Sequence, residues 1–183
     1  MSRSIVSTEV VHARGDETII KDCHRIRVQV FHVEQGFPLE TEFDAVEDVA
    51  EHFLVRVTEQ DPVSGERSVK SVGTIRGTTP DVHHLLYPDV DPATLTRRYK
   101  LSRLAVDKDY REHRFGRLLV ESLNKWVEEH AKSTRLPAQV ECHSQVPVIP
   151  FYRKMGYVEE GDLFDEDGAP HQNMILYIPL ATA

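Results

Sequence analysis

Three consecutive stretches constrain the fold more than any others. RRYKLSRLAVD (97–107) reads as a strand, Leu119, Leu123, Trp126 and Val127 mark one face of a helix over 114–132, and AQVECHS (138–144) reads as a second strand. Joined in this order they form a βαβ unit, whose strands lie parallel and whose crossover is right-handed. Such a unit carries the first turn of its helix beyond the carboxyl end of its first strand. There, unpaired N–H groups and the helix dipole favour an anion. YREHRFGR (110–117) supplies that turn and brings Arg111, Arg114 and Arg117 with it. Phosphate-holding loops usually carry two or three glycines, whereas this one has Gly116 alone and Arg114 where another is expected. The turn therefore reads equally well as an anion seat or as a solvated basic surface.

The remaining elements are short. SIVSTEVVHA (4–13) is rich in β-branched residues and predicts a first strand. Gly15 and Asp16 break it, with Asp16 as a helix N-cap. Ile19, Cys23, Ile26 and Val30 recur on one helical face, predicting a helix to about Glu34 that stops at Gly36 and Pro38. PLETEFDAVEDVAE (38–51) is acidic and too long for a tight turn, so it is a short helix or a functional loop. HFLVRVT (52–58) and SVKSVGTIRGT (68–78) predict a hairpin about the turn residues DPVSGE. PDVHHLLYPDVDP (80–92) is irregular. VPVIPFYRKMGY (146–157) predicts a short helix ended by Gly156, and strands at about 157–164 and 172–180 are joined by DEDGAPH, which holds an Asp-Gly turn signal. No repeat or linker interrupts the pattern, so one α/β domain over 1–183 is expected.

Charge narrows the partners. A net charge of −8 argues against a nucleic-acid binder, which would show a basic face. It suits a cationic or amine-bearing partner, although acidity also serves solubility alone. Cys23 and Cys142 are too few and too far apart for a disulfide framework and fit a reducing compartment. No run approaches the ~20 apolar residues that span a membrane, and MSRSIVSTEVV lacks the apolar core of a signal peptide. A cytoplasmic location without membrane contact is expected. No His or Cys pair has zinc-ligand spacing, and His83-His84 lies in a polar loop, so no metal is expected.

LSRLAVDKDYREHRFGRLLVESL (101–123) resembles the acetyl-CoA-binding segment of the GCN5-related N-acetyltransferases (GNAT), whose core is Arg/Gln-x-x-Gly-x-Gly/Ala after a strand. Arg111 and Gly116 match its ends, and Arg114 replaces its middle glycine. Phe151, Tyr152, Gly156 and Tyr157 match the family's second signature, Phe-Tyr-x-x-x-Gly-Phe/Tyr. Two further stretches, RVQVFHVEQ (27–35) and EDGAPHQNM (166–174), resemble the bacterial ElaA/YjcF-type branch. Together these similarities cover about 20–58 and 72–178.

The resemblance implies a mixed, mostly antiparallel twisted sheet with a splayed parallel strand pair and flanking helices. It implies an N-acetyltransferase using acetyl-CoA as co-substrate and an amine as acceptor. The backbone of Leu104, Ala105 and Val106 would bond the pantetheine, with one amide polarising the thioester carbonyl, an effect worth roughly 3 kcal/mol. The pyrophosphate would sit on the amides of Arg111, Glu112, His113, Arg114, Phe115, Gly116 and Arg117. Helical φ/ψ is expected at Arg114, which would make its missing glycine harmless. Tyr152 matches the tyrosine that protonates the departing thiolate, and the bland alternative is a packed core tyrosine.

The attacking amine must first lose a proton, since alkylamines titrate near pH 10. Glu34 is the first candidate base; its alternative is a surface glutamate at a helix end. His52 and His171 are candidates for a base or a substrate contact, and each could instead be structural. The acceptor mouth would be bounded by the 36–51 loop, with Glu40, Glu42, Asp44, Glu47 and Asp48, and by the 163–172 hairpin. Such acidity favours a polyamine, an amino sugar or a lysine-like side chain. Cys142 lies in a strand with no paired base in view, so direct transfer is expected. Three readings stay open: the transferase, a catalytically silent acyl-CoA-binding or regulatory domain of the same fold, and an unrelated phosphate-binding module. A closing strand could also pair across a homodimer.

Overall fold

The computed structural model describes residues 3–83, 85–87, 89–91 and 97–179. Its strands are β1 (Ser4–Ala13), β2 (Glu51–Gln60), β3 (Arg67–Thr78), β4 (Arg98–Val106), β5 (Ala138–Gln145), β6 (Val158–Glu166) and β7 (Ala169–Ile178). The helices are α1 (Glu17–Arg27), α2 (Pro80–His83), α3 (Phe115–Thr134) and α4 (Ile149–Arg153). The strands form one sheet in the order β1-β2-β3-β4-β5-β7-β6. β4 and β5 run parallel, while β1/β2, β5/β7 and β6/β7 run antiparallel. The mixed, mostly antiparallel sheet with one parallel pair is the fold that the sequence resemblance implied.

The chain divides into two compact units: Met1–Glu42, Glu51–Arg76 and Arg103–Ser122 make one, and Phe43–Ala50, Gly77–Ser102 and Leu123–Ala183 the other. In the first, Asp16 caps α1 through the N–H groups of Thr18 and Ile19. The apolar face read from the sequence is the core: Ile19, Cys23, Ile26 and Val30 pack with Leu54 and Ala105. The helix does not stay regular to Glu34, however. After Arg27 it widens into a π-helix over Val28–Glu34, and Gly36 at φ 80° ends it.

In the second unit Tyr99 meets Trp126 and His130 edge-on, and the Tyr157 hydroxyl donates to Asn124 at 2.7 Å. The closing hairpin is tighter than the sequence reading proposed. β6 and β7 run to within two residues of each other, because Asp167 and Gly168 both take positive φ (54° and 81°). That pair of left-handed residues makes a primed turn, whose twist matches the flanking strands. A register shift between Glu160 and Phe164 follows, and Gln172 Nε2 donates to the Glu160 and Gly161 carbonyls there. No described helix is long and apolar enough to cross a membrane.

Candidate active site

The parallel pairing of β4 and β5 is brief. Arg98, Tyr99 and Lys100 lie opposite Gln139, Val140 and Glu141, and the register ends there although β4 runs to Val106 and β5 to Gln145. Three residues on, Arg103 takes φ 54° within the strand. A left-handed residue in a strand bends it and increases its twist. The Arg103 side chain fixes the bend, with Nη2 donating to the Thr41 carbonyl at 2.7 Å and Nε 3.7 Å from the Glu42 carboxylate.

Beyond the bend the two edges of β4 are distinct. The Asp107 N–H donates to Val72 on β3 at 2.8 Å, and the Ala105 carbonyl lies so close to Gly73 that a Cβ there would sit 3.4 Å from it. Because successive residues of a strand present their polar groups to opposite edges, Leu104 and Val106 direct theirs away from β3. Of the expected pantetheine contacts, Ala105 therefore belongs to the β3 edge and its methyl to the core. Leu104 and Val106 keep the outward edge.

The following turn departs from expectation. Lys108–His113 is a 3-10 helix, and Arg114 takes φ 61° and ψ 22° before α3 begins. Arg114 is thus left-handed, not helical, in the conformation that glycine adopts without strain and other residues adopt at roughly 1–2 kcal/mol. The absent glycine matters for the backbone after all. The first α-helical bond runs from the Leu118 N–H to the Arg114 carbonyl at 3.1 Å, so the N–H groups of Phe115, Gly116 and Arg117 have no partner within the helix. The Phe115 ring is buried and stacks on His113, while Glu112, His113, Arg114 and Arg117 are exposed.

Arg111 folds back from this turn. Its Nη1 and Nη2 donate to the two oxygens of Glu34 at 2.5 and 2.6 Å, and its Nε donates to the Val106 carbonyl at 3.1 Å. The Arg111 hydrogen bonds hold the Glu34 carboxyl below its usual range. The structure thus brings together one residue expected to hold the cofactor and one expected to deprotonate the acceptor. His52 is wholly buried at the start of β2. In the acidic segment Glu42 is not a solvated mouth residue: it is buried against Arg27, which pairs with its carboxylate and donates from Nη2 to its carbonyl at 2.6 Å.

In the second unit Tyr152, on α4, is buried with its hydroxyl hydrogen-bonded to the Cys142 sulfur. Burial raises the Tyr152 phenol well above its ordinary value and pushes the Cys142 thiol up to about 12. Cys142 is therefore a protonated thiol at neutral pH and no nucleophile.

The other face of β5 holds a cluster that the sequence reading missed. Lys100 Nζ is 3.3 Å from Glu141 and donates to the Tyr87 hydroxyl at 2.7 Å, and Arg98 donates to Glu141 at 2.8 Å. His143 Nδ1 lies 2.9 Å from Glu166 Oε1, and its Nε2 is 3.4 Å from the Tyr87 hydroxyl and 3.7 Å from Glu141. Phe164 meets the His143 ring edge-on at 4.8 Å. Of the residues expected here only His171 takes part; it is buried in β7, Nδ1 on the Ala169 carbonyl at 2.9 Å and Nε2 3.9 Å from Glu166. A signal existed in ECHS, whose alternation puts Glu141 and His143 on one face of a strand. Among the described residues no group of His, Cys, Asp and Glu has the arrangement of a metal site, and His84 lies outside them.

Comparisons with known proteins agree with this geometry. The model of the acetyltransferase (GNAT) domain family matches residues 92–178. The uncharacterized N-acetyltransferase YjcF of Bacillus subtilis (strain 168) is 28% identical over 169 residues, 91% of this chain and 98% of that protein. Escherichia coli ElaA has the same fold, with a TM-score of 0.66 and 19% identity over 92% of this chain and 99% of its own. An acyl-CoA N-acyltransferase from Pseudomonas aeruginosa superposes with a TM-score of 0.67 and 20% identity over 92% and 99%. Both names that define the branch resemblance, ElaA and YjcF, are thus among the matches. The family match over 92–178 and the near full-length similarity to YjcF support the resemblance to the GCN5-related N-acetyltransferases that the sequence carries.

Proposed function

We propose that the chain, acting as a single domain, moves an acetyl group from acetyl-CoA directly to a primary amine. The acceptor class is a small cationic amine, a polyamine, an amino sugar or a lysine-like side chain. The observation that carries the reading is the outward edge of β4. Past the Lys100–Glu141 rung, Leu104 and Val106 offer backbone groups away from β3, beyond a bend held by Arg103. An extended pantetheine amide fits such an edge as another strand would. The Phe115–Arg117 amides at the start of α3 suit the pyrophosphate, and Arg111 is a cation beside them.

Tyr152 serves the leaving group. Its phenol is raised above 10 by burial, whereas a thiol titrates near 8.5, so complete proton transfer to a thiolate runs uphill. It acts as a hydrogen-bond donor to the departing sulfur that passes on a proton replaced in the same step. Tyr152→Phe lowers kcat about 10²-fold and leaves KM nearly unchanged in this reading; an equal loss in binding would make it a packing residue. Glu34, as the partner of Arg111, is better suited to holding that guanidinium than to accepting a proton.

The test is thiol release from acetyl-CoA and longer acyl-CoAs across a panel of amines. The similarity to an acyl-CoA N-acyltransferase is the reason to include longer chains. Acetyl transfer to a cationic amine supports the proposal. Stabilisation by CoA with no thiol released by any amine supports the silent binder, which the strained Arg114 and the occupied Arg111 favour. A cytoplasmic location and a homodimer joined by a closing strand remain part of the proposal.

A further inference from the structure

We propose that His143, oriented by Glu166, is the base that takes the proton from the acceptor ammonium; the assignment rests on the amine transfer proposed above. The alternation of β5 turns Cys142 toward Tyr152 on one face, and Glu141 and His143 toward the polar cluster on the other. His143 stands two residues past Glu141, the last rung of the parallel ladder.

The hydrogen bonds set its tautomer. Glu166 is a carboxylate and can only accept, so Nδ1 carries the proton and Nε2 keeps its lone pair. A base whose far nitrogen is held by a carboxylate is the arrangement that proton abstraction needs. The lone pair meets the Tyr87 hydroxyl at 3.4 Å, long for an O–H···N bond, so an ammonium N–H at ordinary distance displaces it readily.

The surroundings favour the protonated ring. Tyr87, Lys100 on β4, Glu141 on β5 and Glu166 on β6 face it, and His171 on β7 reaches it through Glu166. A carboxylate therefore stands at each nitrogen. Burial alone would pull the His143 pKa down, but hydrogen bonding to Glu141 and Glu166 outweighs burial and the net shift is upward. The other candidates lack this arrangement. Glu34 is held by Arg111 and His52 is wholly buried. His171 is buried, and its Nδ1 is on a carbonyl oxygen where His143 has a carboxylate.

The proton balance closes. One ammonium proton moves to Nε2, and the pair it leaves forms the C–N bond to the thioester carbonyl carbon as the C–S bond breaks. The second proton lost by that nitrogen reaches the departing sulfur through Tyr152. His143 then returns one proton to solvent, so each transfer yields amide, thiol and one proton.

The experiment is kcat/KM for thiol release with the best amine of the panel, from about pH 6 to about pH 10, the range in which a histidine and then the amine lose their protons. The wild type shows a rising limb with an apparent pKa above that of an ordinary histidine. His143→Gln loses about 100-fold near neutral pH. Its rate recovers toward the alkaline end, where the amine deprotonates unaided, and the recovery shows that the variant is folded. Glu166→Gln removes a charge that holds the imidazole up, so the limb moves to lower pH. The His143 ring, followed by NMR without substrate, moves in the same direction.

A His143→Gln enzyme with the wild-type rate and limb overturns the assignment alone. If that variant does not fold, a limb and a ring titration unmoved in Glu166→Gln overturn it. A wild type that releases no thiol with any amine removes the transfer reaction and this role together.

Discussion

The turn at 107–117 and the cluster around His143 are both rich in charge, and they are built on opposite plans. In the turn the groups proposed to meet a ligand belong to the backbone: the amides of Phe115, Gly116 and Arg117, and the outward edge of Leu104 and Val106. Its Arg111 and Arg117 side chains are exposed and paired on the surface with Glu34 and Glu121. In the cluster the working groups are side chains, and Lys100, Glu141 and His171 are buried. A backbone seat tolerates foreign side chains provided its φ/ψ values are met, so replacement there appears as strain. A desolvated charge tolerates no loss of its partner, because only that partner offsets its removal from water.

The largest test of this contrast is Glu141→Gln. It deprives Lys100 and Arg98 of their shared carboxylate and leaves a buried ammonium uncompensated, at about 3–5 kcal/mol in urea unfolding. A loss below about 1 kcal/mol would mean that water reaches the cluster and that it resembles the exposed turn. Arg114→Gly goes the other way. Relief of a left-handed arginine raises stability by about 1–2 kcal/mol, and that raises Tm by roughly 3–6 °C. CoA affinity stays within about tenfold, and a larger gain would show that the arginine obstructs the seat.

The smallest effect is that of Glu34→Gln. The Arg111 pair is largely exposed and is worth at most about 1 kcal/mol. Arg111 holds the folded-state pKa of Glu34 below the ordinary 4.5. Its contribution is therefore present above that value and fades as pH falls through the lower folded pKa. The stability difference between wild type and variant, measured by chemical unfolding against pH, vanishes on the acid side. A difference that persists there would assign the effect to packing.

Legibility in the sequence followed the same division. Asp16 as a cap, the Ile19–Val30 face and the Asp-Gly turn are local signals, and each is in place. The parallel pair was readable because a βαβ crossover allows little else. The π-helical widening after Arg27 was not readable, since periodicity shows an apolar face without its pitch. The left-handed Arg114 was hidden because arginine gives no sign of positive φ, and the motif position of a glycine was the only hint. Glu42 looked like surface acid because its partner Arg27 lies fifteen positions away. The His143 cluster joins β4, β5, β6 and β7 through registers that no short window contains.

The two-residue turn at Asp167–Gly168 has a kinetic consequence. Hairpins closed by so short a loop form in about 1–10 μs, faster than strand pairs that must wait for a long crossover. Phe164 and His171 face each other within that hairpin, and Glu166 lies opposite Ala169. The register that presents Glu166 is thus set locally, before β5 need arrive with His143. The dipeptide next to Glu166 acts as the gauge for the imidazole's partner.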